Sequence, residues 1–367
     1  MLRRGLVLAV LLLLTAAPSF ASDLAFNDPL HEQQWYLRAM RFDAAWARLQ
    51  AEAATHPPVT VAVIDSGVDL DHPDLTQNML RGHNIVDGSD DISPLTAHGT
   101  GTTGPIGAIS NNALGISQAA WTSRVLPIRV TNRPDGRART ADINAAIRYA
   151  ADQGARVINV SYGGVQLDSV NEAGRYAQQR GAVVIMPAGN EGQHQEHWKR
   201  QPNVFAVAAV LPDGQTASFS NHGPFIDFHA PGHGVTSLYP GKGYARWNGT
   251  SFASPLVASA AALVLTANPD LAPGQVYAIL RRAAADDQRH ADTPPRVIDA
   301  DRAVALALAS RDDHEFAPGR DTMERIARGP AGATSADDAL TQTPAAAAEA
   351  DLLQEPQGYI VDHLPRR

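Results

Sequence analysis

Short apolar runs alternate with amphipathic segments over residues 59–285 of the 367-residue chain. The apolar runs are bounded by polar or turn-forming residues, which predicts buried strands at 59–64, 125–130, 157–160, 182–186 and 204–210. Helical spacing or a long apolar stretch predicts helices at 142–151, 251–267 and 275–285. Strands that alternate with helices predict an α/β fold with three layers, a mostly parallel central sheet and helices on both faces. Such sheets bind ligands at the carboxyl ends of their strands.

The N-terminal residues have the pattern of a signal peptide. Arg3 and Arg4 precede the apolar run 6–14, and Ser19-Phe20-Ala21 is a small-x-small cleavage pattern. The run is shorter than the roughly 20 residues that a membrane-spanning helix needs, which argues against a retained anchor. We therefore predict a signal peptide at 1–21, export to the medium or the periplasm, and no stable membrane span after cleavage.

Composition separates a folded body from a C-terminal tail. Residues 311–367 hold 11 acidic against 6 basic residues and little apolar periodicity, which predicts a flexible, disordered tail. Residues 22–310 are then one folded domain. The whole chain carries a net charge of -8, which argues against a nucleic-acid-binding protein. It contains no cysteine, which excludes disulfides, a thiolate nucleophile and cysteine-ligated metals.

Three residues that can cooperate in nucleophilic catalysis stand at the ends of predicted elements. Asp65 follows the first buried strand, His98 opens a helical stretch, and Ser251 lies near the start of an apolar helix. A serine hydroxyl needs a neutral imidazole to take its proton, and a carboxylate fixes the tautomer of that imidazole. Each residue alone is typical of a turn, a loop or a helix N-cap. The three together favour a catalytic interpretation.

The motifs around these residues carry a resemblance to a known family. They are Val61-Ala-Val-Ile-Asp-Ser-Gly-Val68 with His72-Pro-Asp-Leu75, His98-Gly-Thr100, Asn159-Val-Ser-Tyr-Gly163, Ala188-Gly-Asn-Glu191 and Gly249-Thr-Ser-Phe-Ala-Ser-Pro255. Over about residues 27–285 the chain strongly resembles the subtilisin-like serine peptidases, the subtilase family. The resemblance implies an exported serine endopeptidase that hydrolyses peptide bonds through an acyl-enzyme. It implies that Asp65 orients His98, that His98 is the general base and then acid, and that Ser251 is the nucleophile.

The resemblance also implies an oxyanion hole and a substrate cleft. Asn190 would donate its side-chain amide to the oxyanion, alongside the backbone N–H of Ser251. Substrates, which are proteins or peptides, would pair as an added strand with Ser161, Tyr162, Gly163, Gly164, Ala188 and Gly189. Glu191 follows the oxyanion residue near the expected specificity pocket, which favours basic side chains in the substrate.

A structural calcium ion is the only cofactor that the resemblance implies, and no organic cofactor is expected. Asp28, Asp74 and Asn112 occupy positions comparable to the calcium ligands of the family. Carboxylate and carbonyl oxygens are ligands that calcium prefers. The alternative is that Asn111 and Asn112 merely form a turn.

Three features depart from the family pattern. Relatives commonly continue His-Gly-Thr with His-Val-Ala, whereas this chain has Gly101-Thr102-Thr103 followed by Pro105, a composition that weakens a helix. Phe252 stands where relatives usually carry Met. The catalytic-type sequence also begins soon after the predicted signal, without an evident pro-segment. Either folding needs no such segment, or the tail or a separate helper or inhibitor protein takes its place.

Three other interpretations are weaker. Gly99-Thr-Gly-Thr-Thr-Gly104 spells the dinucleotide fingerprint, but no buried strand precedes it and 116–125 contains no acidic residue. The Ser-Glu-Asp carboxyl peptidases share a Gly-Thr-Ser segment but lack His-Gly-Thr and work in acid. We instead expect activity to fall below about pH 6.5, the unperturbed imidazole value. The third alternative is a non-catalytic binding protein that keeps the fold.

Overall fold

The computed structural model describes residues 26–52, 58–284, 297–311, 352–353 and 359–364. The predicted signal peptide and most of the predicted tail lie outside these ranges. The strands are β1 (Thr60–Asp65), β2 (His83–Asn84), β3 (Arg124–Arg129), β4 (Ala138–Arg139), β5 (Val157–Val160), β6 (Val183–Pro187), β7 (Phe205–Val210), β8 (Phe228–Pro231), β9 (Val235–Tyr239), β10 (Gly243–Asn248), β11 (Leu352–Leu353) and β12 (Tyr359–Leu364). The α-helices are α1 (Trp35–Ala39), α2 (Phe42–Ala51), α3 (His98–Gly107), α4 (Thr140–Asp152), α5 (Asp168–Gln179), α6 (Thr250–Ala267), α7 (Pro273–Ala284) and α8 (Ala300–Ala309).

A seven-stranded sheet forms the middle layer, in the order β2-β3-β1-β5-β6-β7-β8. Every pairing in it is parallel. Both faces of the sheet are covered. Successive side chains of a strand point to opposite sides, and each set packs into a different apolar cluster. Val61 and Val63 of β1 belong to the apolar cluster that contains α6, whereas Ala62 and Ile64 belong to the cluster that contains α4 and α5. The predicted three-layer α/β fold is confirmed.

The helix α6 runs through the interior of one of these layers. It is long and apolar enough to cross a membrane by length and composition, and it is the one such helix in the described ranges. All 18 of its residues are buried inside the fold. Its apolar character therefore comes from its place in the core, where it packs against β5, β6, β7 and β8.

The predicted elements recur with boundaries shifted by at most two residues. The sequence did not predict α5, because its composition is mostly polar and only a narrow face is buried. Nor did it predict the strands of the small antiparallel sheet β12-β10-β9. Two segments of the predicted tail form strands: β11 pairs with β4, and β12 pairs with β10.

Candidate active site

Three elements bring the predicted catalytic side chains together at the carboxyl edge of the sheet. Asp65 is the last residue of β1, which lies between β3 and β5. His98 is the first residue of α3, and Ser251 is the second residue of α6. Since β1 is an interior strand and both helices begin beside its end, all three side chains are buried, with at most 5% of each residue exposed.

The three side chains form a continuous hydrogen-bonded chain. The Nδ1 of His98 lies 3.1 Å from Oδ1 and 3.2 Å from Oδ2 of Asp65. The Nε2 of His98 lies 2.9 Å from Oγ of Ser251. If Nδ1 carries the proton and donates to Asp65, Nε2 is the lone-pair nitrogen that can accept the hydroxyl proton of Ser251.

Besides His98, two other donors hold the carboxylate of Asp65. The backbone N–H of Ser66 donates to Oδ1 at 2.7 Å, and the hydroxyl of Thr102 donates to Oδ2 at 2.8 Å. Burial alone opposes ionisation of Asp65, but the charge of His98 and these hydrogen bonds outweigh it, so the pKa of Asp65 is lowered. The carboxylate is therefore kept charged and fixed in orientation.

The sequence presents Thr102 only as a departure from the family pattern and does not predict its contact with Asp65. Thr102 lies four residues after His98 on α3, and residues at that spacing share one face of a helix. Both side chains therefore reach the same carboxylate from one helix face. The spacing is the signal that could have identified Thr102.

The glycines of α3 allow the helix to lie against its neighbours. A Cβ on Gly99 would lie 2.1 Å from the carbonyl oxygen of Gly67 and 3.0 Å from Oδ1 of Asp65, so only glycine fits there.

Pro105 lies inside α3 and has no N–H to donate to the carbonyl of Gly101 four residues earlier. The hydroxyl of Ser237 donates to that carbonyl at 2.6 Å instead. The helix consequently continues through the proline to Gly107.

Phe252 packs beside the imidazole of His98. Its ring meets the imidazole of His98 edge to face, with centroids 5.6 Å apart, and stacks on Trp247 at 4.9 Å. Phe252 is completely buried. An aromatic ring therefore forms the wall next to Ser251 where relatives usually have a thioether.

The side chain of Asn190 is oriented by Thr250, the residue that precedes Ser251. Its Oδ1 accepts hydrogen bonds from the backbone N–H of Thr250 at 2.9 Å and from the Thr250 hydroxyl at 2.8 Å. Because the amide oxygen is engaged in this way, the NH₂ group is the end turned away from Thr250. Thr250, which sequence reasoning also missed, thus fixes which end of the amide is the donor end.

The predicted cleft residues fall into two groups. Ser161 and Tyr162 are completely buried, and the hydroxyl of Tyr162 donates to the carbonyl of Gly136 at 2.7 Å. The Tyr162 side chain therefore anchors a neighbouring loop. Gly163 and Gly164 follow directly, and Gly164 has a φ of +100°, a conformation that favours glycine.

The second cleft segment lies beyond β6. Ala188 and Gly189 are buried, whereas Glu191 is exposed. The Nδ2 of Asn221 bridges the carbonyl of Ala188 at 3.1 Å and Oε2 of Glu191 at 2.5 Å. The carboxylate of Glu191 is consequently held next to the Gly189 backbone, where a Cβ on Gly189 would lie 2.7 Å from Oε2.

Asp28, Asp74 and Asn112 also lie together. The Nδ2 of Asn112 donates to Oδ1 of Asp74 at 2.8 Å, and its backbone N–H donates to Oδ1 of Asp28 at 3.1 Å. The backbone N–H of Ile116 and the hydroxyl of Tyr244 approach Oδ2 of Asp74 at 3.1 and 3.4 Å. Burial raises the pKa of Asp74 to about 7, and the charge of Asp28 adds to this shift.

Known proteins are similar to this chain in sequence and fold. The model of the subtilase family matches residues 57–304. Thermitase of Thermoactinomyces vulgaris is 35% identical over 65% of this chain and 84% of its own length. Subtilisin BL of Lederbergia lenta is 36% identical over 65% of this chain and 89% of its own length. A thermophilic serine proteinase of Bacillus sp. (strain AK1) is 43% identical over 56% of this chain, and the match spans only 51% of that protein.

The structural comparison gives the same result. A solved protease structure from Pseudoalteromonas arctica is 28% identical, with a TM-score of 0.64, over 77% of this chain and 99% of that one. The chain belongs to the subtilase family and is a serine-type endopeptidase.

Proposed function

We propose that this chain is an exported serine endopeptidase whose catalytic residues are Asp65, His98, Ser251 and Asn190. The observation that supports the proposal best is the hydrogen-bonded chain from Asp65 through His98 to Ser251, with distances of 3.1 and 2.9 Å. Burial of all three groups strengthens it, since electrostatic interactions are stronger away from bulk water.

In the acylation step, Oγ of Ser251 attacks the carbonyl carbon of the scissile peptide while its proton passes to Nε2 of His98. Asp65 stabilises the imidazolium that forms. The imidazolium then protonates the leaving amine, the C–N bond breaks, and an ester to Ser251 remains. Water attacks this ester, and the same proton transfers in reverse order release the acid and restore Ser251.

The oxyanion of each tetrahedral intermediate needs neutral donors in fixed positions. The amide of Asn190 and the backbone N–H of Ser251 are our candidates. The hydrogen bonds from Thr250 to Oδ1 of Asn190 support this role, because they hold the amide with its donor end away from Thr250.

The substrate is a protein or peptide that pairs with Ser161–Gly164 and Ala188–Gly189 as an added strand. Backbone hydrogen bonds carry most of this mode of binding, so many sequences fit. Glu191 would favour a basic side chain, because its carboxylate is held beside Gly189. A change of preference from basic to neutral peptide substrates in Glu191→Gln tests this assignment.

Labelling with phenylmethanesulfonyl fluoride tests the catalytic assignment. We expect the wild type to gain one sulfonyl group on Ser251 and to lose peptidase activity. Ser251→Ala should neither label nor hydrolyse peptides, whereas Ser254→Ala, a buried serine on the same helix, should do both. A wild type that folds but fails to label would favour the non-catalytic binding protein instead.

The pH dependence separates this mechanism from that of an acid peptidase. The lowered pKa of Asp65 keeps its carboxylate ionised through the neutral range. Loss of activity below about pH 6.5 would then follow protonation of the imidazole base. A rate that stays constant from pH 8 to pH 5 would contradict a histidine base.

Export is supported by the sequence pattern of residues 1–21, which lie outside the described ranges. One relative is the cell wall-associated protease of Bacillus subtilis, which is 37% identical over 62% of this chain, a match that spans 26% of that protein. Expression with the native N-terminus, followed by N-terminal sequencing, should give a mature chain that begins at Ser22, outside the cytoplasm. Uncleaved protein in the membrane fraction would contradict the proposal.

Calcium fits the chemistry of the Asp28–Asp74–Asn112 cluster. Both carboxylates are buried, and among the described residues no lysine or arginine forms an ion pair with either. The described residues contain no group of three or more His, Asp or Glu side chains placed for a metal. The side chain of Asn112 turns its Nδ2 toward Asp74, so a bound ion would require this amide to reverse and present its oxygen, with backbone carbonyls completing the ligands that calcium needs. A chelator should lower the melting temperature, and added calcium should restore it. An unchanged melting temperature would leave packing alone as the source of stability.

A further inference from the structure

Two exposed histidines lie side by side on neighbouring segments of the chain. His194 lies between β6 and β7, and His222 lies between β7 and β8. The two residues form an isolated parallel β-bridge, so their side chains leave the same face of the backbone at the spacing of adjacent strands, about 4.8 Å. The imidazole rings have their centroids 5.1 Å apart and their planes tilted by 52°. Neither residue belongs to the proposed catalytic residues, the proposed cleft or the calcium cluster, and we call the two the histidine pair.

The separation of the two rings is the one that a shared metal ion requires. A zinc ion bound to an imidazole lies about 2.0–2.1 Å from the ring nitrogen and therefore about 3.2 Å from the centroid of the ring. Two rings that bind one ion at the tetrahedral angle of about 109° then have centroids about 5.2 Å apart. The observed 5.1 Å agrees with this value. Metal binding is a narrower requirement than ring packing alone, which allows centroid distances of about 4.5–7 Å.

Each ring has a nitrogen available for an ion. Nδ1 of His222 lies 3.4 Å from the carbonyl oxygen of Ser220, and a histidine that binds a metal commonly donates its other ring N–H to such a carbonyl. Nε2 of His222 is then the nitrogen with a free lone pair. The described residues form no hydrogen bond with the ring of His194. Both side chains are exposed, so each ring can turn about χ2, a broad torsion, until one nitrogen of each faces the same point.

The backbone that carries the histidine pair is already joined by hydrogen bonds. The N–H of His222 donates to the carbonyl of Gln193 at 3.1 Å, and the N–H of Gln195 donates to the carbonyl of His222 at 2.9 Å. Beside them, the N–H of Gly192 donates to the carbonyl of Phe219 at 2.7 Å. An ion that binds here orders only two side chains, because the two segments are fixed before it arrives. Such preorganisation lowers the free-energy cost of binding.

We propose that His194 and His222 bind one divalent transition-metal ion of the kind that prefers imidazole ligands, with zinc as its representative. Within the described ranges, no group of three or more His, Asp or Glu side chains is placed for a metal, so the histidine pair supplies two ligands and water completes the tetrahedral shell. Calcium does not fit this site, because it takes oxygen ligands, whereas imidazole nitrogen suits zinc, copper and nickel. The ion joins the segment that follows Glu191 to the segment that follows Ser220 and stabilises the folded state, in which the site is preformed. The inference does not depend on the proposed function.

Zinc titration by isothermal calorimetry tests the site. The parent protein is full-length Ser251→Ala without an affinity tag, chosen to prevent self-digestion. His194→Ala and His222→Ala should each weaken the binding of one zinc equivalent at least about 10-fold, because the loss of even an outer partner of a metal ligand costs about 10–100-fold in affinity. The matched control His197→Ala removes an exposed histidine three positions from His194 and should bind zinc like the parent.

Calcium and the melting temperature provide two further controls. An excess of calcium should not displace that zinc equivalent, and zinc should raise the melting temperature of the parent and of His197→Ala more than that of either pair variant. The inference is overturned if all four proteins bind zinc with the same affinity, if His197→Ala weakens binding as much as the pair variants do, or if calcium displaces the ion. Equal shifts of the melting temperature in all four proteins would also contradict it. These measurements follow the metal ion rather than hydrolysis, so their failure leaves the proposed function standing.

Nitrogen NMR of the parent, labelled with ¹⁵N-histidine, shows whether both rings share one ion and does not rely on the stability of a variant. Zinc should shift one imidazole nitrogen of each ring along the same titration curve, and in His222 this nitrogen should be Nε2. The signals of the histidine pair are identified by their absence from the spectra of His194→Ala and His222→Ala. A shift in only one of the two rings, or two curves with different midpoints, would refute a shared ion.

Discussion

Replacing Thr102 by valine should weaken catalysis while leaving substrate binding intact. The Thr102 hydroxyl donates to Oδ2 of Asp65 at 2.8 Å, and Asp65 is 1% exposed. Valine has nearly the same shape as threonine, so the substitution removes a hydrogen bond without opening a cavity. Thr102 is a positioning residue, because it acts on the reaction only through the carboxylate.

The size of the effect follows from the remaining partners of Asp65. A hydrogen bond to a charged group contributes about 1.5–3 kcal/mol. In the variant, Asp65 keeps the backbone N–H of Ser66 at 2.7 Å and Nδ1 of His98 at 3.1 Å. Because these donors still hold the carboxylate, we expect the stabilisation of the transition state to fall only by the lower end of this range, about 1.5 kcal/mol. That corresponds to about a 10-fold loss of kcat, with KM changed less than twofold.

The pH profile distinguishes positioning from a general loss of stability. Without the Thr102 hydroxyl, Oδ2 of Asp65 loses a donor that lowers its pKa. The more basic carboxylate then stabilises the imidazolium form of His98 more strongly. The acid limb of the kcat profile should consequently move to higher pH. A variant that is merely less stable would keep the wild-type limb.

The neighbouring residue provides the control. Thr103 is also buried, and its hydroxyl donates to the carbonyl of Gly99 at 2.7 Å. Thr103→Val should keep the wild-type kcat and pH profile, and Thr102→Ser, which retains a hydroxyl, should recover most of the loss. Steady-state kinetics on one peptide substrate measure all three variants. If Thr102→Val and Thr103→Val have the same kcat and the same acid limb, the positioning role is refuted.

Substitutions at Asn190, Phe252 and Asp227 test three other features of the structure. Asn190→Ala should lower kcat about 10²–10³-fold, a magnitude that comes from subtilisin itself, and a loss below threefold would contradict the oxyanion role. Phe252→Met should make activity sensitive to hydrogen peroxide, because a thioether is oxidised next to Ser251 whereas the phenyl ring is not; equal inactivation of both proteins would refute this. Burial raises the pKa of Asp227 to about 6, despite the opposing charge of Arg200. Its contribution to stability should therefore be present below pH 4 and be lost as the pH rises through 6, by at most about 3 kcal/mol. Urea unfolding should show this fall in the wild type but not in Asp227→Asn, and parallel curves would contradict the assignment.

Motifs in the sequence were sufficient to propose the catalytic residues, although these are far apart in the chain. Asp65 and His98 are 33 positions apart, and His98 and Ser251 are 153 positions apart. Each lies in a local pattern, a strand end or a helix start, that can be read without knowing the contacts. The parallel sheet then brings such ends to one edge. Local periodicity therefore predicted the fold, and the motifs placed the proposed catalytic residues at the ends of its elements.

The contacts that the sequence did not predict depend on pairing between distant segments. The run Tyr359-Ile-Val361 has the β-branched and aromatic composition of a strand, but the composition of residues 311–367 as a whole indicates disorder. Its partner β10 lies more than 100 residues earlier. Composition averaged over a long segment cannot reveal a short strand whose stability comes from the edge to which it adds.

The departures in α3 and at residue 252 are connected in the fold. A Cβ on Gly101 would lie 2.9 Å from Trp247 and 3.1 Å from Cε1 of Phe252. The phenyl ring that replaces the usual methionine therefore occupies space that the absence of a side chain at Gly101 leaves open. Close packing allows the larger residue on α6 only where the facing residue on α3 is small. Gly101 and Phe252, two separate departures from the family pattern in the sequence, therefore face each other in the fold.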